Sequence, residues 1–219
     1  MHPSTAHPTA PQNTIAQKVA ADKSKLRFYL RRQRNRLAPT QNAAQGFATW
    51  IGQEVENRGH RLTVAAFLPL KSEPPITDAL TQLVSQGHRV LVPVVLPQRQ
   101  LGWVQWNPNT PCELNVLGIS EPVGERLGSA AFCEADLRLV PALALSSRGR
   151  RLGQGGGYYD RLFELLGDRA NQRSTLGVVF DREILDDLPA HDWDAVLGYA
   201  LTESGVKELG TCASNKTVE

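Results

Sequence analysis

Residues 151–161, RLGQGGGYYDR, combine side chains and glycines that could bind a phosphate chain. The apolar residues 137–145 before them predict a buried strand, and residues 162–166 after them predict a helix. Glycines adopt positive φ without steric cost, so backbone N–H groups of such a loop can converge on an anion at the positive end of the helix. Arg151 would add a cation, and Asp160 a carboxylate that could hold a divalent metal against phosphate oxygens. The order strand, loop, helix predicts a nucleoside-triphosphate site.

The glycine-rich stretch differs from two common nucleotide-binding motifs. GxxxxGK[ST] requires Lys and then Ser or Thr after the last glycine, where this chain has Tyr158 and Tyr159. GxGxxG counted from Gly153 ends on Tyr158 instead of glycine. A glycine cluster can also be a tight connection without a function. Two aromatic side chains beside a phosphate loop are costly to expose, so we expect them to cover a planar ligand or to pack the start of the helix.

The motif RLGQGGGYYDRLF resembles that of the 5-formyltetrahydrofolate cyclo-ligases, also called 5,10-methenyltetrahydrofolate synthetases. The resemblance implies an ATP-dependent, Mg²⁺-dependent ligase that converts 5-formyltetrahydrofolate into 5,10-methenyltetrahydrofolate, ADP and phosphate through a phosphorylated formyl (imidate) intermediate. One departure precedes the loop. The family commonly has Phe-Asp after Ala144, where this chain has Leu145, Ser146 and Ser147. We expect this departure to change an anchor of the loop and to leave the chemistry intact.

The resemblance also implies which residues bind the nucleotide. Lys23 and Arg27 match the family's N-terminal Lys-x-x-x-Arg, which supplies cations to ATP. Lys23, Arg151 and Tyr158 take the catalytic role in this interpretation. The implied nucleotide-binding set is Lys23, Arg27, Arg151, Leu152, Gly153, Gln154, Gly155, Gly156, Gly157, Tyr158 and Tyr159.

The folate and metal sites follow from the same resemblance. Glu73 and Leu68 match the family's folate contacts, and a carboxylate suits a pterin because the pyrimidine edge offers paired donors. Trp106 is a weaker folate candidate. For Mg²⁺ the resemblance implies Asp160 together with an aspartate about eight residues before the final Thr, which selects Asp194. The family's frequent His-Asp pair would select Asp192 instead, and we favour Asp194.

The N-terminal segment predicts a basic amphipathic helix over residues 18–37, with a second helix from Thr40 to about Arg58. Lys23 and Arg27 are four residues apart and so share one face. Without the resemblance, a solvated face is the favoured interpretation of this helix, and nucleic-acid binding is the second.

Alternating and apolar runs predict an α/β protein, a three-layer α/β/α sandwich with a mixed, mostly parallel sheet and a basic N-terminal helix. The pattern supports the class, and the resemblance implies the detailed fold. In the run at 101–106 we expect Trp103 and Trp106 on one face. Strands are predicted near 62–68, 88–96, 101–106, 136–145, 174–180 and 195–201, with helices between several of them.

Length and composition predict a single soluble domain. The 219 residues are 41% hydrophobic and carry charges of both signs, which suits one good core. We expect the domain to span residues 18–205, between a flexible tail at 1–17 and a C-terminal tail at 206–219. Eight Lys or Arg residues against Asp22 alone make residues 1–37 basic.

Cysteine spacing and hydropathy predict the compartment. Cys112, Cys133 and Cys212 are widely spaced without a CxxC, which favours neither a disulfide framework nor a zinc site and indicates a reducing compartment. The sequence has no apolar run long enough for a membrane span and no secretory signal pattern, so we expect a cytoplasmic protein. As partners we expect the folate substrate, in mono- or polyglutamylated form, with no nucleic acid, no membrane and a monomeric chain.

Two other functions compete with the cyclo-ligase. A sugar-phosphate isomerase-like α/β enzyme could also bind an anion at a glycine loop, but it would need a carboxylate or His base deep in the pocket and no ATP. A nucleic-acid-binding module could use the basic helix and would bind with a steep dependence on salt.

Overall fold

The computed structural model describes residues 10–115, 118–191, 194 and 196–210. Within these ranges the α-helices are α1 (Ala10–Arg36), α2 (Gln41–Glu56), α3 (Thr77–Ser85), α4 (Ala130–Glu134) and α5 (Tyr158–Leu166). Short 3-10 helices occur at Pro97–Arg99, Gly167–Asn171 and Asp181–Glu183. The strands are β1 (Thr63–Ala65), β2 (Arg89–Leu96), β3 (Gln100–Trp106), β4 (Cys112–Leu114), β5 (Ser120–Pro122), β6 (Leu137–Pro141), β7 (Ala144–Ser146), β8 (Arg151–Leu152), β9 (Thr175–Val178), β10 (Ile184–Leu185), β11 (Tyr199–Thr202) and β12 (Gly205–Glu208).

A central seven-stranded sheet organises the chain, in the order β12-β11-β9-β6-β1-β2-β3. Its four inner pairings are parallel, and the two edge pairings, β11 with β12 and β2 with β3, are antiparallel. Strands β10, β7 and β8 form a second small sheet, and β4 pairs with β5. The predicted mixed, mostly parallel sheet is confirmed.

Helices cover both faces of the sheet because both faces are apolar. Successive residues of a strand point to opposite faces, so Val64 packs in the cluster that contains α2 and α3, while Ala65 packs with α4 and α5. On α2 Phe47, Ile51 and Val55 are buried against the sheet. The result is the predicted three-layer arrangement.

The two tryptophans of β3 lie on opposite faces of the sheet, and the prediction of a shared face was wrong. Trp103 stacks on Phe132 of α4 with ring centroids 5.0 Å apart, whereas Trp106 belongs to the cluster on the α2 and α3 side. The physical reason is the two-residue period of a strand, which turns side chains three positions apart in opposite directions.

Two elements of the structure extend into the segments 1–17 and 206–219 that were predicted as tails. Helix α1 begins at Ala10, because the Ala- and Gln-containing sequence before Lys18 also favours a helix. At the other end, residues 206–208 form part of β12, which pairs with β11 after a tight turn. Residues 1–9 and 211–219 lie outside the described residues. None of the described helices is long and apolar enough to cross a membrane.

The predicted strand at 136–145 divides into two. Residues of β6 pair within the central sheet up to Pro141, and β7 begins at Ala144 in the second small sheet. Pro141 lacks the N–H that would continue the ladder. The chain therefore leaves the central sheet after Pro141 and continues into β7, which pairs with β8 just before the glycine-rich stretch.

Candidate active site

A buried ion pair fixes α1 against the sheet. The guanidinium of Arg34, whose residue is 1% exposed, donates from Nε and Nη2 to the two carboxylate oxygens of Glu183 at 2.7 and 2.6 Å. Nη2 also donates to the carbonyl of Ala142 at 2.6 Å, and Glu183 accepts from the N–H of Phe180. Bidentate pairs of this kind are strong and directional. The sequence did not predict this pair. Its only sign in the sequence is that Arg34 lies four positions after Leu30 and therefore shares the apolar face of α1.

The anchored helix presents a row of cations to the glycine loop. Lys23, Arg27 and Arg31 follow at intervals of four and share a face. Arg27 Nε donates to the carbonyl of Gly153 at 3.0 Å, and Arg31 donates to both the side chain and the carbonyl of Gln154, at 3.1 and 2.5 Å. Burial, followed by the charge of Arg31, lowers the pKa of Arg27 below its ordinary value.

The loop itself has the conformation that the glycines predict. Gly155 and Gly157 have φ of +100° and +72°, and Gly157 directly precedes α5. At Gly156 a Cβ atom would meet the ring of Tyr158 at 2.7 Å. Such a backbone leaves the first N–H groups of α5 free to bind an anion, with Asp160 in the first turn.

Ser146, where the family commonly has Asp, lies at the turn before the loop. The buried hydroxyl of Ser146 accepts from the N–H groups of Arg148 and Arg150, at 3.3 and 3.0 Å. Arg150 in turn donates from its guanidinium to the carbonyl of His191 at 2.9 Å. Ser146 thus holds the turn that leads into the glycine-rich stretch.

A cavity of about 390 Å³ lies between α1, the glycine loop and the carboxyl ends of β1 and β6. Its apolar lining comes mainly from β2, β3 and the loop after β1, and its charged lining from α1, the glycine loop and the loop before β11, so we call these two parts the apolar and the charged end. The charged end carries Lys23, Arg27, Arg151, Asp160 and Asp194 together with residues 153–159. The apolar end is formed by Phe67, Leu68, Leu70, Pro93, Val95, Leu101 and Ile119, and Pro141 lies next to Arg151.

The structure does not bring Leu152 and Trp106 to this cavity, although both were predicted to bind ligands. Leu152 packs with Leu30 and Leu188 in a small cluster beneath α1. Trp106 is buried in the cluster that contains α2 and α3. Both residues support the site from the core.

Glu73 is a buried carboxylate at the boundary between the two ends of the cavity. It is only 6% exposed. One carboxylate oxygen accepts from the N–H of Leu70 at 3.0 Å, and the other from the side-chain amide of Gln154 at 3.1 Å. Because a carboxylate has about four acceptor positions, Glu73 can still accept a pair of donors from a ligand.

Arg151 and Tyr159 form the wall behind the glycine loop. Arg151 donates to the carbonyl of Pro141 at 3.0 Å and to Asp160 at 2.9 Å, and its guanidinium lies 5.5 Å from the centroid of the Tyr159 ring and 5.3 Å from that of Phe163. The Tyr159 hydroxyl is buried and makes no hydrogen bond to any described residue. Burial raises the pKa of Tyr159, so the hydroxyl stays protonated. Tyr159 therefore packs the helix start while its ring borders the cavity.

Two carboxylates lie at the charged end, and each is paired with a cation. Asp160, with a side chain 64% exposed, accepts from Arg151. Asp194 accepts from Lys23 at 2.5 Å and from the N–H of His191 at 2.7 Å. The described residues contain no cluster of three or more His, Cys, Asp or Glu that could hold a metal. Two carboxylates beside the glycine loop nevertheless suit Mg²⁺, which in proteins takes one or two carboxylates and completes its shell with phosphate oxygens and water. The alternative ligand Asp192 lies outside the described residues.

The sequence model of the 5-formyltetrahydrofolate cyclo-ligase family matches residues 19–203. The chain belongs to this family. A 5-formyltetrahydrofolate cyclo-ligase of Mycolicibacterium smegmatis is 35% identical over 191 residues, which cover 82% of this chain and 93% of the relative. One of Escherichia coli K12 is 31% identical over 148 residues, 67% of this chain and 80% of the relative. The predicted family and the prediction of an enzyme of this type are confirmed.

Solved structures of the family share the fold. The NMR structure of Aquifex aeolicus 5,10-methenyltetrahydrofolate synthetase superposes with a TM-score of 0.65 at 24% identity, covering 90% of this chain and 96% of that one. A 5,10-methenyltetrahydrofolate synthetase from Mycoplasma pneumoniae gives a TM-score of 0.58 at 21% identity, covering 83% of this chain and 99% of that one. The α/β architecture of this chain is therefore that of these two synthetases.

Proposed function

We propose that the protein catalyses the ATP-dependent cyclisation of 5-formyltetrahydrofolate to 5,10-methenyltetrahydrofolate, with release of ADP and phosphate. The observation that carries the proposal is the division of the cavity. Cations and a glycine loop at the start of α5 occupy one end, and apolar side chains around the buried Glu73 occupy the other. A phosphate chain and a planar heterocycle can therefore meet inside one enclosure.

The nucleotide is assigned to the charged end. Backbone N–H groups of the loop and the first turn of α5 bind phosphate oxygens, and Lys23, Arg27 and Arg151 neutralise their charge. Phosphoryl transfer requires little beyond positioning and charge stabilisation, so these groups are sufficient for the protein's part. Tyr158, which borders the cavity next to the glycines, is assigned to the same phosphates.

Asp160 and Asp194 are the residues that would hold Mg²⁺. When bound, the ion neutralises charge on the phosphate oxygens. The two carboxylates are kept near the loop by Arg151 and Lys23. Those cations can turn from the carboxylates to the phosphates, because both kinds of partner are anionic oxygens at the same end of the cavity.

The pterin is assigned to the apolar end. Its amino group and ring N–H are donors that Glu73 can accept, and the side chain of Leu68 lies on the same wall. The apolar surroundings exclude water from the formyl group, which strengthens every electrostatic contact made there.

The reaction follows from this placement. The formyl oxygen attacks the γ-phosphorus of ATP, so an O–P bond forms while the bond from that phosphorus to ADP breaks. The resulting imidate phosphate makes the formyl carbon electrophilic. N10 attacks this carbon, loses its proton, and phosphate leaves with the former formyl oxygen. The described lining residues include no His or Cys, which suits a reaction without an enzyme nucleophile.

The competing functions find less support. An isomerase would need a carboxylate or His base deep in the cavity and no ATP, and the match to the cyclo-ligase family over residues 19–203 favours the ligase instead. A nucleic-acid-binding helix would present its cations outward, whereas four of the eight basic residues of α1, Lys23, Arg27, Arg31 and Arg34, bind groups of the same chain.

The test is an absorbance assay for methenyl-folate formation from 5-formyltetrahydrofolate and Mg-ATP, run with the wild type and with Asp160→Asn. Activity in the wild type and its loss in the variant support both the reaction and the metal site. A folded wild type without ATP-dependent product refutes the reaction. Full activity of the variant would keep the reaction and remove Asp160 as a metal ligand. Asp186→Asn, at an exposed position, is the matched control and should keep full activity.

A further inference from the structure

Gln154 of the glycine loop connects three parts of the cavity. Its side-chain amide donates to Glu73 at 3.1 Å, and its side-chain oxygen accepts from Arg31 Nε at 3.1 Å. Its backbone carbonyl accepts from Arg31 Nη2 at 2.5 Å. A chain of hydrogen bonds thus runs from α1, through the loop, to the buried carboxylate at the boundary with the apolar end.

This chain determines the direction of the Glu73 carboxylate. The N–H of Leu70 holds one oxygen and the amide of Gln154 holds the other, so the plane of the carboxylate is set by one backbone donor and one loop side chain. Each oxygen retains an acceptor position. A ligand that offers two donors meets a carboxylate already oriented, and its binding in turn holds Gln154 in place.

The same residue determines where the loop backbone lies. Gln154 stands between Gly153 and Gly155, and the carbonyls of residues 153 and 154 are held by Arg27 and Arg31. Glycines lose much conformational freedom when they are ordered. Any contact that holds Gln154 therefore reduces the entropy that the loop must lose on binding phosphates.

We propose that Gln154, held by Arg31, is a positioning residue that couples occupation of Glu73 by the folate to binding of the nucleotide at the glycine loop. The inference rests on the proposed function, since it takes the folate at Glu73 and ATP at the loop. The coupling is positive: each ligand tightens the other, and by thermodynamic linkage the factor is the same in both directions.

The experiment measures this factor directly. Titration with a non-hydrolysable ATP analogue and Mg²⁺, without and with saturating 5-formyltetrahydrofolate, gives two dissociation constants for the nucleotide. In the wild type we expect the folate to tighten the nucleotide about 5-fold or more. In Gln154→Met, which keeps the length of the side chain but neither of its hydrogen bonds, we expect the ratio to approach 1.

A merely structural role of Gln154 predicts a different result. It would weaken nucleotide binding equally with and without folate, so that the ratio of the two constants stayed at the wild-type value. That result overturns the proposal, as does a wild type that binds both ligands without coupling. A protein that binds neither ligand refutes the proposed function instead, which separates the two failures.

Two neighbouring arginines provide a matched pair of variants. Arg31→Gln removes the anchor of Gln154 and should lower the coupling ratio. Arg32→Gln makes the same charge change at an exposed residue whose guanidinium lies 5.6 Å from the centroid of the Phe28 ring, and should leave the ratio unchanged. Equal coupling ratios in the two variants would count against a role of Arg31 in holding Gln154.

Discussion

The ammonium of Lys23 lies 2.5 Å from a carboxylate oxygen of Asp194, 171 positions later in the chain. This pair joins the first helix to the loop before β11 at the charged end of the cavity. Arg151 and Asp160 form a second pair of the same kind at 2.9 Å. Cations assigned to phosphate and carboxylates assigned to metal therefore neutralise each other before any ligand binds.

Lys23→Ala should lower kcat by about 100-fold or more, since one preorganised charge at the transferred phosphoryl group is lost. Nucleotide affinity should also fall, because one cation beside the phosphates is lost and the charge of Asp194 is less neutralised. Steady-state kinetics with varied ATP check both effects. Lys25→Ala removes the same charge two residues later from an exposed position and should leave kcat and KM unchanged. Equal losses in both variants would show a general effect of the helix charge.

Glu73→Gln should raise KM for the folate about 10-fold or more, because two charge-assisted hydrogen bonds to the pterin become one neutral acceptor and one clashing donor. The dissociation constant of the nucleotide alone should change much less, because the Gln side chain keeps an acceptor for the amide of Gln154. The measurement is a pair of titrations, one with each ligand, and Glu125→Gln on the surface is the control. A variant with wild-type folate affinity would remove Glu73 from the folate site.

Arg34→Ala should destabilise the fold by about 3–5 kcal/mol, because it leaves the carboxylate of Glu183 buried without its cation. Urea unfolding followed by circular dichroism measures the loss. Arg36→Ala, two residues on and exposed, should stay within about 0.5 kcal/mol of the wild type. A small effect of Arg34→Ala would mean that the buried pair orients α1 but adds nothing to the free energy of unfolding.

Tyr159→Phe should keep the stability at neutral pH within about 1 kcal/mol or increase it, since the hydroxyl it removes is buried without a described partner. The pH dependence should differ as well. Burial raises the pKa of Tyr159 in the folded state, so above its usual value near 10 the unfolded chain releases the proton first and stability falls as pH rises. Unfolding from pH 8 to 11 should show a steeper loss in the wild type than in Tyr159→Phe, and parallel curves would contradict this.

Local features of the sequence were sufficient for much of this protein. Glycines at 153 and 155–157 indicate the loop, because glycine adopts the positive φ found at Gly155 and Gly157 without steric cost. Periodicity located the main helices, and α2 begins at its predicted cap Thr40, whose side chain accepts from the N–H of Ala43. The contiguous motif RLGQGGGYYDRLF was sufficient to indicate the family, because its glycine run and its Tyr-Tyr-Asp-Arg occur side by side in the chain.

Only the tertiary structure decided which distant residues meet. Arg34 with Glu183, Lys23 with Asp194, and Gln154 with Glu73 are pairs separated by 149, 171 and 81 positions. No periodicity links such positions, since they come together through the order of the parallel strands. Trp106 is a further example. Its aromatic side chain suits a ligand-binding site, but its position on β3 directs it into the core. The sequence by itself determined the local conformations and the chemical types at the site, and the packing of strands and helices decided their partners.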